Sequence, residues 1–240
     1  MDCSDDLLSH IEVETSTLRI GAHEYHIRSL RDRQQFWDPD SRSAQAGISS
    51  ASWPFFGVVW PAGLALAEEM SQFPIDGKRI LEVGCGIGLC SLVLQQRGAN
   101  ITASDYHPLA EEFLRYNTAL NGLLPLHFQN APWAGPNPDL GRFDLIVGSD
   151  LLYERDHPSL LAAFLVCHAN PIAQVILTDP GRTYCGQFGA KMAAQGYTRT
   201  ERRLHFTGSN MPSSRGRLMS FIRGEIECPQ KMIIARKLGL

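Results

Sequence analysis

Hydrophobic and polar residues follow two different patterns along the middle of the chain. Short apolar runs rich in β-branched residues are typical of buried strands, and five of them occur between residues 79 and 179. Between these runs, apolar residues recur every three or four positions, as on one face of a helix. This alternation predicts an α/β fold with a parallel sheet and crossover helices. The strands are predicted at about 79–83, 100–104, 126–130, 143–148 and 174–178.

The two ends of the chain carry a different pattern. Upstream, residues 17–27 alternate on either side of a Gly21-Ala22 turn, which predicts a β-hairpin outside the main sheet. Residues 38–52 are rich in Ser, Ala and Gly and predict a loop that orders over a ligand. Downstream, a helix near 184–195 leads into strand-like runs with no helix between them, so we expect them to pair antiparallel at one sheet edge. These runs are 197–206, 217–223 and 231–236.

The composition is that of an ordinary globular protein. The chain has 240 residues, of which 44% are hydrophobic and 20% charged, enough for one substantial core. We divide it into an N-terminal extension over 1–52 and a main domain over 53–240. The longest apolar stretch, 55–67, contains Pro61 and is too short to cross a bilayer. With an acidic N-terminus that resembles no leader peptide, the sequence predicts a cytoplasmic monomer without a membrane partner.

Cysteine usage and charge distribution refine this expectation. The six cysteines form no Cys-x-x-Cys pair, which favours reduced thiols. The formal net charge is −3, but residues 181–240 hold 11 Lys/Arg against 3 Asp/Glu, and residues 1–180 hold 11 against 22. The basic C-terminal part is interpreted either as a solvated face on strands or as a surface that attracts an acidic partner.

A glycine-rich turn follows the first predicted strand. It reads Gly84-x-Gly86-x-Gly88 and opens the first helix, which we expect to run to about residue 97 and stop at Gly98. A dinucleotide site would place its last glycine one position later, and no Gly-Lys-Ser/Thr is present for a triphosphate. An adenosyl cofactor without phosphates suits this turn better, because the next strand ends in Asp105, whose carboxylate can accept both ribose hydroxyl protons.

This stretch resembles motif I of the seven-strand S-adenosylmethionine-dependent methyltransferases. The resemblance implies a Rossmann-like sheet with helices on both faces and a seventh strand inserted antiparallel. It also implies that S-adenosyl-L-methionine is the cofactor, with S-adenosyl-L-homocysteine as product. In that fold Glu82 orients the turn and the methionine amino group, and Asp105 binds the ribose. The cofactor-binding residues are therefore predicted to be Trp60, Glu82, Gly84, Gly86, Gly88, Asp105, Tyr106, Trp133 and Ser149.

A narrower resemblance covers about residues 53–190. The segment Trp53–Gly63 is similar to the Trp-Pro segment that precedes motif I in methyltransferase family 16, the lysine-directed branch. Ser149 is followed by Asp150-Leu151-Leu152-Tyr153, which resembles the Asp-x-x-Tyr signature of that branch. The resemblance implies a protein substrate that carries a target lysine. The N-terminal hairpin and the long basic C-terminus depart from the pattern and leave the identity of that substrate open.

Asp150 and Tyr153 are the candidate catalytic residues. A lysine ammonium, with an ordinary pKa near 10.4, must lose its proton before it attacks, and a carboxylate beside a dry aromatic wall can hold and orient it. The alternative is structural: Asp150 caps a short helical turn and Tyr153 fills the core. Trp60 and Trp133 likewise line the cofactor or belong to the core. Arg182 either closes the cleft, binds a substrate carboxylate or is solvated.

The sequence is compatible with four functions. They are protein-lysine N-methylation, N-methylation of a small molecule, cofactor binding without catalysis, and nucleic-acid methylation. The nucleic-acid alternative is disfavoured because Asp150-Leu151-Leu152-Tyr153 stands where an Asn/Asp-Pro-Pro-aromatic motif is typical, although the basic C-terminus keeps it open. No metal is expected, since methyl transfer from a sulfonium requires alignment and desolvation rather than a Lewis acid.

Overall fold

The computed structural model describes residues 10–208 and 211–224, and within them nine strands and six helices are assigned. The strands are β1 (Val13–Ile20), β2 (His23–Leu30), β3 (Arg79–Val83), β4 (Asn100–Asp105), β5 (His127–Asn130), β6 (Phe143–Ser149), β7 (Ala169–Asp179), β8 (Thr198–Gly208) and β9 (Met211–Arg223). The helices are α1 (Arg42–Gln45), α2 (Pro61–Met70), α3 (Leu89–Gln96), α4 (Ala110–Leu120), α5 (His157–His168) and α6 (Cys185–Ala194), with a 3₁₀ turn at Trp53–Gly57.

Seven strands form one sheet in the order β5-β4-β3-β6-β7-β9-β8. The first five pair in parallel, and β9 pairs antiparallel with both β7 and β8. The α/β fold with antiparallel C-terminal strands is therefore confirmed, while the strand expected at 231–236 lies outside the described residues. The chain leaves β3 toward β4 on one side and reaches β6 on the other, which creates a crevice at the carboxyl ends of β3 and β6.

Helices cover both faces of this sheet. Successive residues of β3 point to opposite faces, so Ile80 packs with α2, α3 and the hairpin, and Leu81 packs with α5 and α6. Both side chains are fully buried. A strand buried on both faces is mostly apolar, which explains Ile80, Leu81 and Val83; the buried Glu82 is the exception.

The N-terminal hairpin is confirmed as a separate two-stranded sheet. Gly21, with a φ of 56°, makes the turn between Ile20 and His23. Two side-chain amides hold the hairpin. Asn117 of α4 bonds both backbone groups of Arg28, and Asn121, which follows the last residue of α4, bonds both of His26. The Asn117 amide also donates to the carbonyl of Ile87 in the glycine-rich turn, so the hairpin is tied to that turn. The boundary drawn at residue 52 stays a prediction.

Two local predictions can be compared with the structure: the end of helix α3 and the loop over residues 38–52. Helix α3 follows Gly88 and stops before Gly98, whose φ of 73° suits a C-terminal glycine. The segment 38–52 is mostly loop, but it contains α1, whose first N–H groups at Ser43 and Ala44 are bound by the Asp38 carboxylate at 3.0 Å.

Two further findings bear on the class of protein. No helix within the described ranges is long and apolar enough to span a bilayer. The cysteines described, Cys85, Cys90, Cys167 and Cys185, are all free thiols. Cys3 and Cys228 lie outside the described residues.

Candidate active site

The glycine-rich turn joins β3 to α3 at the carboxyl edge of the sheet. Gly84, Gly86 and Gly88 all have positive φ, at 62°, 53° and 81°. A Cβ on Gly86 would lie 2.5 Å from the backbone oxygen of Phe56, and one on Gly88 would lie 2.1 Å from Leu114 Cδ1. Glycine is thus required both for the backbone conformation and for close packing against the 3₁₀ turn and α4.

A cavity of about 350 Å³ opens beside this turn. Its volume is within the range of small-molecule and cofactor sites. Gly88 is not among the residues that line it; this glycine instead begins α3 and faces Leu114. The other predicted site residues all line the cavity: Trp60, Glu82, Gly84, Gly86, Asp105, Tyr106, Trp133, Ser149, Asp150 and Tyr153.

Two buried carboxylates face the inner end of the cavity. Glu82 accepts a short hydrogen bond from the Ser91 hydroxyl, and burial raises the pKa of Glu82 to about 7. Asp105 accepts the N–H of Gly86 at 2.8 Å and that of His107 at 2.9 Å. Burial raises the pKa of Asp105 as well, while these N–H groups oppose the rise.

The negative charge of Glu82 and Asp105 limits which cofactors the cavity can hold. Among the described residues no cationic side chain pairs with Glu82 or Asp105. A phosphate placed beside two buried carboxylates would be repelled, whereas an ammonium and a ribose diol supply the donors that carboxylates accept. The inner half of the cavity therefore fits S-adenosylmethionine, which carries both groups and no phosphate.

An aromatic wall leads from this inner half to the cavity mouth. The ring of His157 lies between Trp133, at a centroid distance of 5.3 Å, and Tyr153, at 4.5 Å, both edge-on. Phe55 then meets Tyr153 at 5.8 Å and Trp60 at 5.7 Å. Trp60 is fixed by a 2.8 Å hydrogen bond from its Nε1 to the carbonyl of Phe55. Such a wall excludes water and leaves ring faces available to a cation.

Asp150 follows the last residue of β6 and has an unusual backbone. Its φ is 53°, in the left-handed region, and its N–H donates to the carbonyl of Thr178 on β7 at 2.8 Å. The side chain is nearly buried and accepts two hydrogen bonds from the guanidinium of Arg182. Asp150 does not cap a helix, because α5 begins at His157 after Asp156. The expectation that Asp150 caps a short helical turn is therefore wrong, while its role in catalysis stays a prediction.

Tyr153 lies three residues further on, at the rim of the cavity. The guanidinium carbon of Arg182 lies 5.7 Å from the centre of its ring. Burial raises the pKa of Tyr153, and the Tyr106 side chain hydrogen-bonds it. The hydroxyl consequently stays protonated at physiological pH. Asp150 and Tyr153 together hold a cation between a carboxylate and an aromatic ring.

Sequence reasoning missed one buried aromatic group at this site. The ring of His107 is stacked on Phe56 at 3.8 Å and lines the cavity. Its Nδ1 accepts the N–H of Leu109 at 3.2 Å, and burial lowers the pKa of His107 to about 3. Nε2 therefore carries the proton, yet it has no hydrogen-bond partner among the described residues. The one sequence signal is its position two residues after Asp105.

Comparison with solved structures shows the fold. The fold aligns with a T. thermophilus 16S rRNA N2 G1207 methyltransferase in complex with AdoMet and guanosine, at a TM-score of 0.58 and 17% identity. The alignment covers 89% of this chain and 51% of that one. The sheet order, the glycine-rich turn and the acidic cavity agree with this fold. With a sequence match over residues 52–183 to the lysine methyltransferase family, the protein is an S-adenosylmethionine-dependent methyltransferase.

Comparison of sequences defines the family. The lysine methyltransferase family matches residues 52–183, and the chain belongs to it. The electron transfer flavoprotein beta subunit lysine methyltransferase of Xenopus laevis is 31% identical over 180 residues, 73% of this chain and 69% of that protein. The protein N-lysine methyltransferase METTL21A of Danio rerio is 39% identical over 127 residues, 47% of this chain and 56% of that protein. Segments 56–67 and 178–182 indicate the first relative from sequence, and this likeness is confirmed.

Proposed function

We propose that this methyltransferase modifies a lysine side chain of a protein and that Asp150 and Tyr153 receive the lysine amine. The observation that carries the proposal is the cation held at the cavity mouth: the Arg182 guanidinium is bonded to Asp150 and lies over the ring of Tyr153. A lysine ammonium has the same charge and seeks the same partners. The acceptor amine binds at the lone pairs of the Asp150 carboxylate that Arg182 leaves free, while the guanidinium keeps the carboxylate oriented.

The inner half of the cavity holds the methyl donor. Glu82 receives the methionine ammonium, and Asp105 receives the ribose hydroxyls through the lone pairs that Gly86 and His107 leave free. Trp133 and Tyr106 line the space beside them, and Ser149 lies between the two halves at the end of β6. When bound, the donor supplies a sulfonium-activated methyl group.

The outer half prepares the nucleophile. Asp150 accepts a hydrogen bond from the incoming ammonium and orients it, while the rings of Tyr153, Phe55 and Trp60 exclude water from one side. Desolvation by these rings favours the uncharged amine, because burial penalises the charged form. Tyr153 is not the base, since its raised pKa keeps the hydroxyl protonated. Water at the open mouth carries the proton away.

Labelling identifies the acceptor. The purified protein is incubated with methyl-labelled S-adenosylmethionine and a heat-treated lysate from cells that lack this methyltransferase. Labelled molecules are then identified by mass spectrometry. We expect the label on lysine residues of a protein. Because 31%-identical relatives are named for the beta subunit of electron transfer flavoprotein, that purified subunit is the first single acceptor to test.

The same experiment contains its own controls. An Asp150→Asn variant, which keeps the left-handed backbone accessible, is assayed in parallel and should label nothing. Label confined to small molecules would overturn the proposed acceptor class. Label on protein that persists in the variant would show that Asp150 has a different role.

A further inference from the structure

Strands β8 and β9 extend beyond the rest of the sheet. The last residue of β7, Asp179, pairs with Arg217 of β9. The two outer strands continue to pair past this point, through Leu204 with Gly216 and on to Gly208 with Met211. Residues 204–208 and 211–216 therefore form a two-stranded ribbon, the projecting ribbon, which rises from the carboxyl edge of the sheet. The cavity opens at the same edge.

The base of the projecting ribbon is firmly packed. The ring of Phe206 is buried and lies so close to Gly216 that a Cβ there would be 2.2 Å from it. The same Cβ would be 2.8 Å from the carbonyl oxygen of Asp179. Glycine at this position lets the ribbon pack closely on the end of β7, so the side chains at its base have fixed positions relative to the cavity.

Most arginines of these two strands already have partners. Arg199 and Arg217 both bind Glu201, and Arg202 binds Glu69 of α2. Arg223 donates to backbone carbonyls that include that of Asn170.

Two arginines remain. Within the part of the chain that the structure describes, Arg203 and Arg215 are exposed and make no ion pair or hydrogen bond. Arg203 lies opposite Arg217, and Arg215 lies opposite His205. Directly opposed residues share a face, as do residues two apart, so these four side chains project from one face of the two strands. Glu201 lies on the same face, where Arg199 and Arg217 bind it, so the unpaired arginines of this face are Arg203 and Arg215.

This basic face is continuous with the acceptor end of the active site. Arg217 Nη2 lies 3.6 Å from the Cβ position of Gly181, and the next residue, Arg182, is the one bonded to Asp150. A row of guanidinium groups therefore runs from the cavity mouth through Arg217 to Arg203 and Arg215. Charges placed beside a reaction site steer the approach of a partner with the opposite sign.

We propose that the basic face formed by Arg203, His205, Arg215 and Arg217 docks an acidic surface of the acceptor protein beside its target lysine. The inference rests on the proposed function, because it assigns this face to the same acceptor. A protein is favoured over a nucleic acid because few free cations are present here, whereas stable nucleic-acid binding requires many phosphate contacts. Residues 1–180, with 22 Asp/Glu against 11 Lys/Arg, would repel a long polyanion.

A binding experiment tests this face without depending on turnover. A fluorescein-labelled peptide of glutamate and glycine with a single lysine is titrated with the full chain, and its anisotropy is recorded. The Arg203→Glu/Arg215→Glu variant should bind about tenfold more weakly at low salt, and the wild-type affinity should fall as salt is raised. The same peptide with glutamine in place of glutamate should not bind.

The matched control is Lys78→Glu/Arg115→Glu, which makes the same change in charge on α4 and at the amino end of β3, away from the carboxyl edge of the sheet. This control should bind as the wild type does. Arg203→Gln/Arg215→Gln repeats the test if the charge-reversed variant has a lower melting temperature. Equal affinity in the wild type and both variants of Arg203 and Arg215 would overturn the proposal.

A competition experiment separates the proposed partner from a nucleic acid. If a single-stranded oligonucleotide displaces the peptide at a lower concentration than unlabelled peptide does, the face binds nucleic acid and the proposal is wrong. Since no methyl donor is present in either experiment, a failure of lysine methylation would leave both results unaffected.

Discussion

The guanidinium of Arg182 bonds both carboxylate oxygens of Asp150 across 32 positions of sequence, with Nη2 2.9 Å from Oδ2. Asp150 is one of two residues other than glycine that have a positive φ within the described ranges. A left-handed backbone at such a residue is strained and persists only where surrounding contacts hold it. Two contacts hold Asp150: its N–H donates to the carbonyl of Thr178, and its carboxylate accepts two hydrogen bonds from the Arg182 guanidinium. Together they orient the carboxylate toward the cavity mouth.

Loss of the Asp150 carboxylate should lower the rate of turnover without weakening donor binding. Asp150→Ala is expected to reduce kcat by about a hundredfold or more, because the amine is no longer oriented. The affinity for S-adenosylmethionine should change little, since Glu82 and Asp105 are intact. Labelling rates and calorimetric titration measure the two quantities. A collapse of donor affinity would place Asp150 in the cofactor site instead.

Arg182 is expected to act as a positioning residue. Arg182→Ala removes both hydrogen bonds to Asp150 and should lower kcat by roughly tenfold, with donor affinity unchanged. Arg182→Lys should recover only part of the loss, because an ammonium cannot bond both oxygens in the planar fork of a guanidinium. Steady-state kinetics on the three proteins provides the test. Full recovery by lysine would show that charge alone matters.

The glycines of the β3–α3 turn should differ sharply from a glycine elsewhere with similar backbone angles. Gly86→Ala forces a Cβ to within 2.5 Å of the Phe56 carbonyl oxygen, which is backbone and cannot easily move. Gly98→Ala has nothing within 4 Å and should cost only the roughly 1 kcal/mol of a left-handed alanine. Gly86→Ala should cost more and should abolish donor binding. Denaturant melts and titrations compare them, and equal effects would contradict the packing argument.

The sequence was most informative where local patterns decide the structure. The strand–turn–helix unit from residue 79 to 98 agrees closely with the prediction, because a strand buried on both faces is mostly apolar and a glycine ends the helix. The hairpin around Gly21 follows from another local pattern, the alternation of apolar and polar residues on either side of a turn. Strand β7 begins at Ala169, earlier than expected at 174, since α5 leads directly into it and leaves no turn residue to mark the boundary.

The parts of the site that sequence did not predict depend on contacts between distant segments. Arg182 was interpreted as closing the cleft, binding substrate or being solvated, because nothing near it in sequence places Asp150 beside it. The stacking of His107 on Phe56 joins positions 51 residues apart and follows no periodic pattern. The spacing and the resemblance to motif I place Gly88 with the cofactor-binding glycines, whereas its neighbour in space is Leu114.

Glu82 should make both stability and donor binding depend on pH. Its pKa is about 7 in the folded protein against an ordinary value of 4.5, so folding takes up a proton between these values. The resulting contribution to the free energy of unfolding, about 3 kcal/mol, is fully present below pH 4.5 and is lost as the pH rises through 7. Denaturant unfolding of the unliganded protein at pH 5.5 and pH 8 measures this loss. The Glu82→Gln variant should not show this loss. If its free energy of unfolding depends on pH as that of the wild type does, another group causes the effect.

Donor affinity should change in the opposite direction. The methionine ammonium requires the ionised form of Glu82, so binding should strengthen as the pH rises through about 7 and should release a proton below it. Calorimetry in buffers of different ionisation enthalpy measures both. A pH-independent affinity would show that the ammonium lies elsewhere.

The most direct test of the whole account is a crystal structure of the protein with S-adenosylhomocysteine. We predict that the product occupies the cavity beside Gly84 and Gly86, with its ribose hydroxyls on the Asp105 carboxylate and its amino group at Glu82. An empty cavity at saturating ligand, or the ligand bound with its ribose away from Asp105, would contradict the account.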